Sequence, residues 1–402
     1  MEEILEIYNL TGQKLAILNN YGDYIAHNIQ IQHSLNAIDQ LTFDISLKSE
    51  NLIYCINENI VKYKSQDYFI NDMVIAKSKE SNTVTITCSH VSSILSKQTN
   101  QSIDLVGASF KEMVDAVLLN SGWSLGTYDT IDTNKFRHLQ CEDESKFSNL
   151  NNICETFDCF MKFDSSLHKV NFYTTLPNRD IYIRYRYNLK GINLTYNTDD
   201  IVTKLYVRGG NDDVGQVVSI MDMPTETDSN GIYHENGKSY LICYKYYLDQ
   251  GITQEYIDAH PEKFLHEQTL TLTDYVDATE LYDMARIKMS KKCKSSVNCS
   301  IQMLDFSQYP EYSGGILETT PIVGESVFIL DDELNEIISA QVVGISENDE
   351  NPMAIDIQIS NIIEYQSLAS QLVDSSNKVK KSYIGDRVSG SYINGVIDLL
   401  SA

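Results

Sequence analysis

Gln40-Leu-Thr-Phe-Asp-Ile-Ser-Leu-Lys48 is apolar at Leu41, Phe43, Ile45 and Leu47 and polar at Thr42, Asp44, Ser46 and Lys48. Side chains alternate across a strand, so this stretch reads as a strand with one face in a core and the other toward water. Ile29 and Ile31 begin a similar pattern upstream, and strands are expected near 60–64, 67–76 and 83–89. In the last of these Val84, Ile86 and Cys88 share one face and Thr83, Thr85 and Thr87 the other. Asn19-Asn-Tyr-Gly-Asp23 and Ser78-Lys-Glu-Ser-Asn82 supply turns. Short strands at this spacing predict a small β-barrel or sandwich over residues 1–95.

The period then changes. Ser109-Phe-Lys-Glu112 is a capping box, and Phe110, Met113, Val114, Val117 and Leu118 follow with helical spacing up to a stop at Gly122. A second helix is expected over 146–157, with Phe147, Leu150, Cys154 and Phe157 on one face. A hairpin follows, with strands 159–163 and 168–173 around Asp164-Ser-Ser166. Residues 96–179 thus read as an α+β unit. Strands return over 180–220, and 221–320 is mixed, with a helix at about 278–292. Val297, Cys299, Ile301 and Met303 alternate, strands 325–330 and 337–345 flank a turn at 331–335, and Ile355, Ile357 and Ile359 mark a last strand. Residues 365–402 read as a polar helical segment with an apolar Ile393, Val396, Ile397, Leu400 stripe. The fold class is α+β, mostly β, and 402 residues suffice for several cores.

The formal net charge of −25 disfavours broad electrostatic binding to nucleic acid or anionic lipid. Lys288, Lys291 and Lys292 near a helix C-terminus offset its macrodipole rather than forming a nucleic-acid patch. The acidic N-terminus is not that of a secretory signal, and no apolar run approaches the roughly 20 residues that span a bilayer. Eight scattered cysteines without a C-x-x-C pair read as reduced core thiols, consistent with folding in a cytoplasm.

No hydrolase, nucleotide-binding or zinc-protease motif is present. His260 and His266 stand six apart, poor spacing for two ligands on one helix face, and Cys154/Cys159 and Cys293/Cys299 lack histidines at zinc-finger spacing. His138 with Cys141 places a base and a nucleophile close in sequence, and an ordinary surface loop accounts for it. The acidic turn Asp331–Glu336 lacks the glycine and length of an EF-hand. Arg184 and Arg186 alternate with Ile181 and Ile183, which reads as a strand at an ion-paired subunit contact rather than a nucleic-acid platform. No catalytic, cofactor-binding or metal-binding residue is therefore assigned.

Several stretches together resemble the N-terminal hub region of phage minor tail proteins, the tail-tip proteins of siphophages and baseplate hubs of contractile tails. They are Leu15-Ala-Ile-Leu18, His33-Ser-Leu-Asn-Ala-Ile-Asp-Gln-Leu-Thr-Phe-Asp-Ile-Ser46 and Tyr68-Phe-Ile-Asn-Asp72. Asn120-Ser-Gly-Trp-Ser-Leu-Gly126, Asn188-Leu-Lys-Gly-Ile-Asn193, Ile201-Val-Thr-Lys-Leu-Tyr-Val-Arg-Gly-Gly210, Val323-Gly-Glu-Ser-Val-Phe-Ile-Leu-Asp-Asp332 and Ile355–Asn361 complete the set. Their order over about 350 residues carries the resemblance, and 221–320 matches loosely. The resemblance implies a homotrimer with two tube-like β-barrels per subunit, 1–95 and 180–220 with 321–364, forming a pseudo-sixfold ring in the virion tail. Its partners would be the tail tube, distal tail or baseplate proteins and the tape-measure protein, with DNA passing through the lumen without specific binding. A tail-associated endopeptidase and a host receptor-binding module are the alternative readings.

Overall fold

The computed structural model describes residues 4–361 apart from 19–25, 78–81, 130, 132–136, 175–180, 185–187, 212–214, 274, 305–319, 332–335 and 352–353. The helical segment expected at 365–402 and the 331–335 turn tip lie largely or wholly outside the described residues.

The opening strands are β1 (Leu5–Tyr8), β2 (Lys14–Leu18), β3 (Ala26–Ser34), β4 (Gln40–Ser46), β5 (Ile60–Tyr63), β6 (Gln66–Lys77) and β7 (Asn82–His90). They pair in the order β3-β4-β7-β6-β5-β1-β2. Leu41, Phe43 and Ile45 are fully buried, as the alternation of β4 requires. They join Leu5, Leu18, Ile31, Val61, Ile70 and Ile86 in one cluster fed by all seven strands, so the sheet curls around its own core.

The α+β unit contains α1 (Ile94–Lys97), β8 (Thr99–Ala108), α2 (Phe110–Leu118), β9 (Ser124–Tyr128), β10 (Arg137–Ser145), α3 (Lys146–Phe157), β11 (Phe160–Asp164) and β12 (Lys169–Tyr173). Both halves of the Ser109/Glu112 capping box form, and the five apolar residues of α2 are all buried. The far end of α2 is closed from a distance: Lys146 Nζ donates to the carbonyls of Val117 and Leu119, each at 2.8 Å. A cation on these orphan carbonyls also suits the helix dipole. This unit docks on the first core through polar contacts. Asn36 Oδ1 accepts from Met161 N–H at 2.8 Å, and Ser165 Oγ accepts from Asp67 N–H at 3.1 Å.

The remaining elements are β13 (Ile181–Arg184), β14 (Leu189–Asn197), β15 (Lys204–Gly209), β16 (Glu226–Thr227), β17 (Tyr233–His234), β18 (Tyr240–Ile242), α4 (Lys245–Asp249), α5 (Gln254–Ala259), α6 (Pro261–Phe264), β19 (Glu267–Leu272), α7 (Ala278–Lys292), β20 (Ser296–Leu304), β21 (Ser326–Asp331), β22 (Glu336–Asn348) and β23 (Ala354–Ser360). A second β core gathers Ile183, Ile301, Val327, Val342 and Ile357 from β13 and β20–β23, with Leu189 of β14. The segment 180–220 is divided between two sheets. Strands β13 and β14 enter this second core, whereas β15 pairs with β18 and β19 in a separate five-stranded sheet backed by α7. Conversely β20, placed by sequence in the mixed insertion, pairs with β14 and β23 in the large sheet.

Strand β22 joins the two cores. It pairs with β21, then β23, and its last residues, 344–348, pair with β3. All these strands therefore form one sheet from β14 to β2, and no pairing among the described residues closes either half into a barrel. The two barrels expected from the sequence are here two cores along one curled sheet. Ion pairs Lys288–Glu155 and Lys291–Asp158 (2.8 Å) tie α7 to α3, a use of those lysines additional to the dipole.

Gly209 and Gly210 mark where β15 meets the backbone of Thr273 and Tyr275. A Cβ on Gly210 would lie 2.1 Å from Thr273 O, and the Gly210 N–H donates to Tyr275 O at 2.8 Å. Gly210→Ala is expected to cost about 1–3 kcal/mol by overpacking, seen as a lower urea midpoint. An unchanged midpoint would show that the Thr273 carbonyl gives way freely.

Candidate functional site

In-register neighbours place their side chains on the same face, so the large sheet can be read across its strands. One row runs Gln302–Asp356–Ser346–Gln32–Gln40–Ser89 from β20 to β7. A second on the same face runs Asn348–Gln30–Thr42–Thr87–Asp72. The row between them faces the other way: Met303–Ile355–Glu347–Ile31–Leu41–Cys88–Ile70, apolar except for Glu347. The sheet is thus amphipathic across both cores and over the seam. In these two rows the outer face carries amides, hydroxyls and two carboxylates and no lysine or arginine.

The face is held in place by its own hydrogen bonds. Asp44 accepts from Thr85 Oγ1 at 2.5 Å and from Asn28 Nδ2 at 3.0 Å. Asn28 Oδ1 in turn accepts from Gln30 Nε2 (2.9 Å) and Asn348 Nδ2 (3.1 Å), linking the two halves across the seam. The path ends at β2 and β14, whose outer edges pair with no strand among the described residues. Open edges carrying exposed apolar residues, such as Ile17 on β2 and Tyr196 on β14, are suited to association with another chain.

The residues singled out by sequence do not come together as a catalytic centre. His138 and Cys141 sit on opposite faces of β10: the thiol is buried, and His138 Nε2 meets Asp104 at 2.7 Å. His260 binds the Tyr256 carbonyl while His266 meets the Tyr247 hydroxyl at 2.9 Å. All eight cysteines are buried and free of disulfides. Ile181 and Ile183 are buried and Arg184 exposed, as the alternation predicts, whereas Arg186 lies outside the described residues. No group of three metal-ligating side chains occurs among the described residues.

Two histidines at the junctions were not marked by any sequence motif. His90 is buried between the first core and the α+β unit, near the rings of Tyr68, Trp123 and Phe163. Its Nδ1 accepts from Ser92 N–H (3.3 Å), and Nε2 faces Gln66 Oε1 at 3.1 Å, an arrangement satisfied by neutral imidazole. Burial accordingly pushes its pKa below 6.5. At the seam, burial opposes protonation of His33, but the Asp39 hydrogen bond at 2.7 Å and the Asp39 and Glu347 charges outweigh it and hold the pKa above 6.5.

The signs of the two linkages are opposite. His33 contributes stability that is fully present below pH 6.5 and is lost as pH rises through its raised folded pKa. His90 stays neutral when folded, so stability falls as pH drops below 6.5, where only the unfolded chain takes up the proton. His33→Gln is expected to flatten the alkaline arm in melting midpoints measured over about pH 5.5–8. Parallel profiles for the two proteins would refute the linkage.

Residues 5–90 match the family model described as prophage endopeptidase tail N-terminal domain, and residues 177–367 match prophage endopeptidase tail. Together the matches span more than half of the chain, and the chain belongs to the phage tail protein family. Among solved structures it is similar to the prophage tail protein gp18 from Listeria monocytogenes EGD-e, at 13% identity and a TM-score of 0.59, covering 94% of this chain and 99% of that one. The 43 kDa tail protein of prophage MuSo2 from Shewanella oneidensis gives 12% identity, a TM-score of 0.57 and coverage of 91% and 99%. The tail protein from Neisseria meningitidis MC58 gives 9%, 0.57, 90% and 97%. No curated protein sequence matches the chain.

Proposed function

We propose that the chain is the structural hub of a phage or phage-like tail tip or baseplate. Three copies form a ring in which the two β cores of each subunit act as six similar modules, adapting a sixfold tube to a threefold tip. The tail tube, distal tail or baseplate proteins and tape-measure protein are its neighbours. The observation that carries this reading is the polar outer face, without lysine or arginine in those two rows and continuous from β20 to β7. Lining a channel, such a face offers phosphates no counter-ion-releasing contact, so DNA passes without sticking. A net charge of −25 per subunit acts in the same direction.

The test is the solution mass followed by an image of the assembly, alone or with partner tail proteins. A trimeric ring whose lumen is lined by Gln32, Thr42 and Asp44 is expected. A monomer that enters tails without trimerising, or a ring with a positive lumen, would overturn the proposal.

The word endopeptidase in the family description favours a second reading, a cell-wall-degrading tail enzyme. A zymogram on purified peptidoglycan separates the two. The hub reading expects no clearing by residues 1–364, and clearing that His138→Ala or Cys141→Ser abolishes would establish the enzyme instead.

A further inference from the structure

Strand β15 alternates between two environments. Leu205 and Val207 are buried in the core beneath α7, while Lys204, Tyr206 and Arg208 lie on the opposite face. Parallel β19 runs beside it in register and places Glu267, Thr269 and Thr271 next to those three residues. The first cation of the stripe is fully occupied: Lys204 Nζ meets Glu267 at 2.9 Å and lies over the rings of Tyr206 and Tyr240. Arg208 is different. Its register neighbour is Thr271, and among the described residues its guanidinium has neither an ion pair nor a hydrogen bond. Its side chain is exposed, so the guanidinium is open to an incoming anion.

Arg208 borders a cleft of about 240 Å3, together with Tyr206, Val217, Ser219, Ser239 and Thr269. Among the described residues no carboxylate lines it. Ser239 and Thr269 bring hydroxyls to its wall. The volume is below that of drug-sized pockets and suits one ring-sized group.

We propose that this cleft binds a carboxylate-bearing sugar residue, such as a uronic acid unit of a cell-surface glycan. The guanidinium fork takes the carboxylate in two parallel hydrogen bonds, a geometry that an ammonium does not reproduce. Ser239 and Thr269 offer hydroxyls to the ring hydroxyls, and Tyr206 with Val217 offers apolar surface to the C–H face of the sugar. Resting on the hub reading, the site would give the tail a contact with the envelope it meets.

The experiment is ligand-observed NMR titration of the full chain with glucuronate, glucose and inorganic phosphate. Glucuronate is expected to bind, with glucose at least about tenfold weaker. Arg208→Gln should weaken glucuronate binding by about tenfold with an unchanged melting midpoint, and Arg208→Lys should recover only part of it. Thr269→Val removes a hydroxyl of the cleft wall without altering charge and should also weaken glucuronate binding. The proposal falls if glucuronate does not bind, if glucose binds equally, if Arg208→Gln binds as tightly as the parent, or if phosphate binds as well as glucuronate. Retention of the parent's oligomeric mass by Arg208→Gln keeps these outcomes separate from the hub reading.

Discussion

Glu280→Ala is expected to destabilise the protein by about 3–5 kcal/mol, because it leaves a buried cation without its acid. Arg137, at the start of β10, is 4% exposed and pairs with Glu280 of α7. Its guanidinium lies 4.9 Å from the Tyr275 ring centroid and 5.9 Å from that of Phe157, so the charge sits among aromatic rings rather than water. Replacing both partners by apolar residues, Arg137→Met with Glu280→Leu, is expected to recover much of the loss, since desolvation of the pair offsets its attraction. Urea denaturation of the single and double variants measures this. A loss below 1 kcal/mol for Glu280→Ala would mean that water reaches Arg137 when its partner is gone.

Trp123→Ala is expected to cost about 3–5 kcal/mol. The indole is 6% exposed and meets Phe163 edge-on at 5.6 Å, with the His168 ring at 5.2 Å and His90 at 6.3 Å. It therefore packs the end of the α+β unit against the hairpin β11–β12 and the first core. Trp123→Phe keeps part of that contact and should lose less. An unchanged melting midpoint for Trp123→Ala would show that the ring contributes nothing to the fold and is kept for a partner.

The outer face of the large sheet shows how far alternation carries. Thr42, Asp44, Thr85 and Thr87 are legible as outward residues from their own strands, because the period of two is local and needs no partner. That they continue through Gln32 and Ser346 to Asp356 and Gln302 is not legible. This depends on register across the seam between β22 and β3, which brings together residues more than 300 positions apart. The same limit explains the division at β15. Its alternation identified a strand, but a buried strand fits either sheet, and only pairing with β18 and β19 assigned it.

By itself the sequence determined the elements whose causes are short-range. These include the capped helix at Ser109, the helix at 146–157, the hairpin after it, and the in-and-out pattern of nearly every strand. It also determined that the surface would be acidic, since charge is additive and needs no fold. Tertiary structure alone decided which strands share a sheet and that the two β cores lie along one sheet. It also decided that Lys146 closes α2, that Arg137 is buried, and that Arg208 meets no acid among the described residues. The physical reason is the same in each case. A lone lysine or arginine has one appearance in sequence, whereas its environment is set by whichever distant backbone or side chain the packed cores bring within hydrogen-bonding reach.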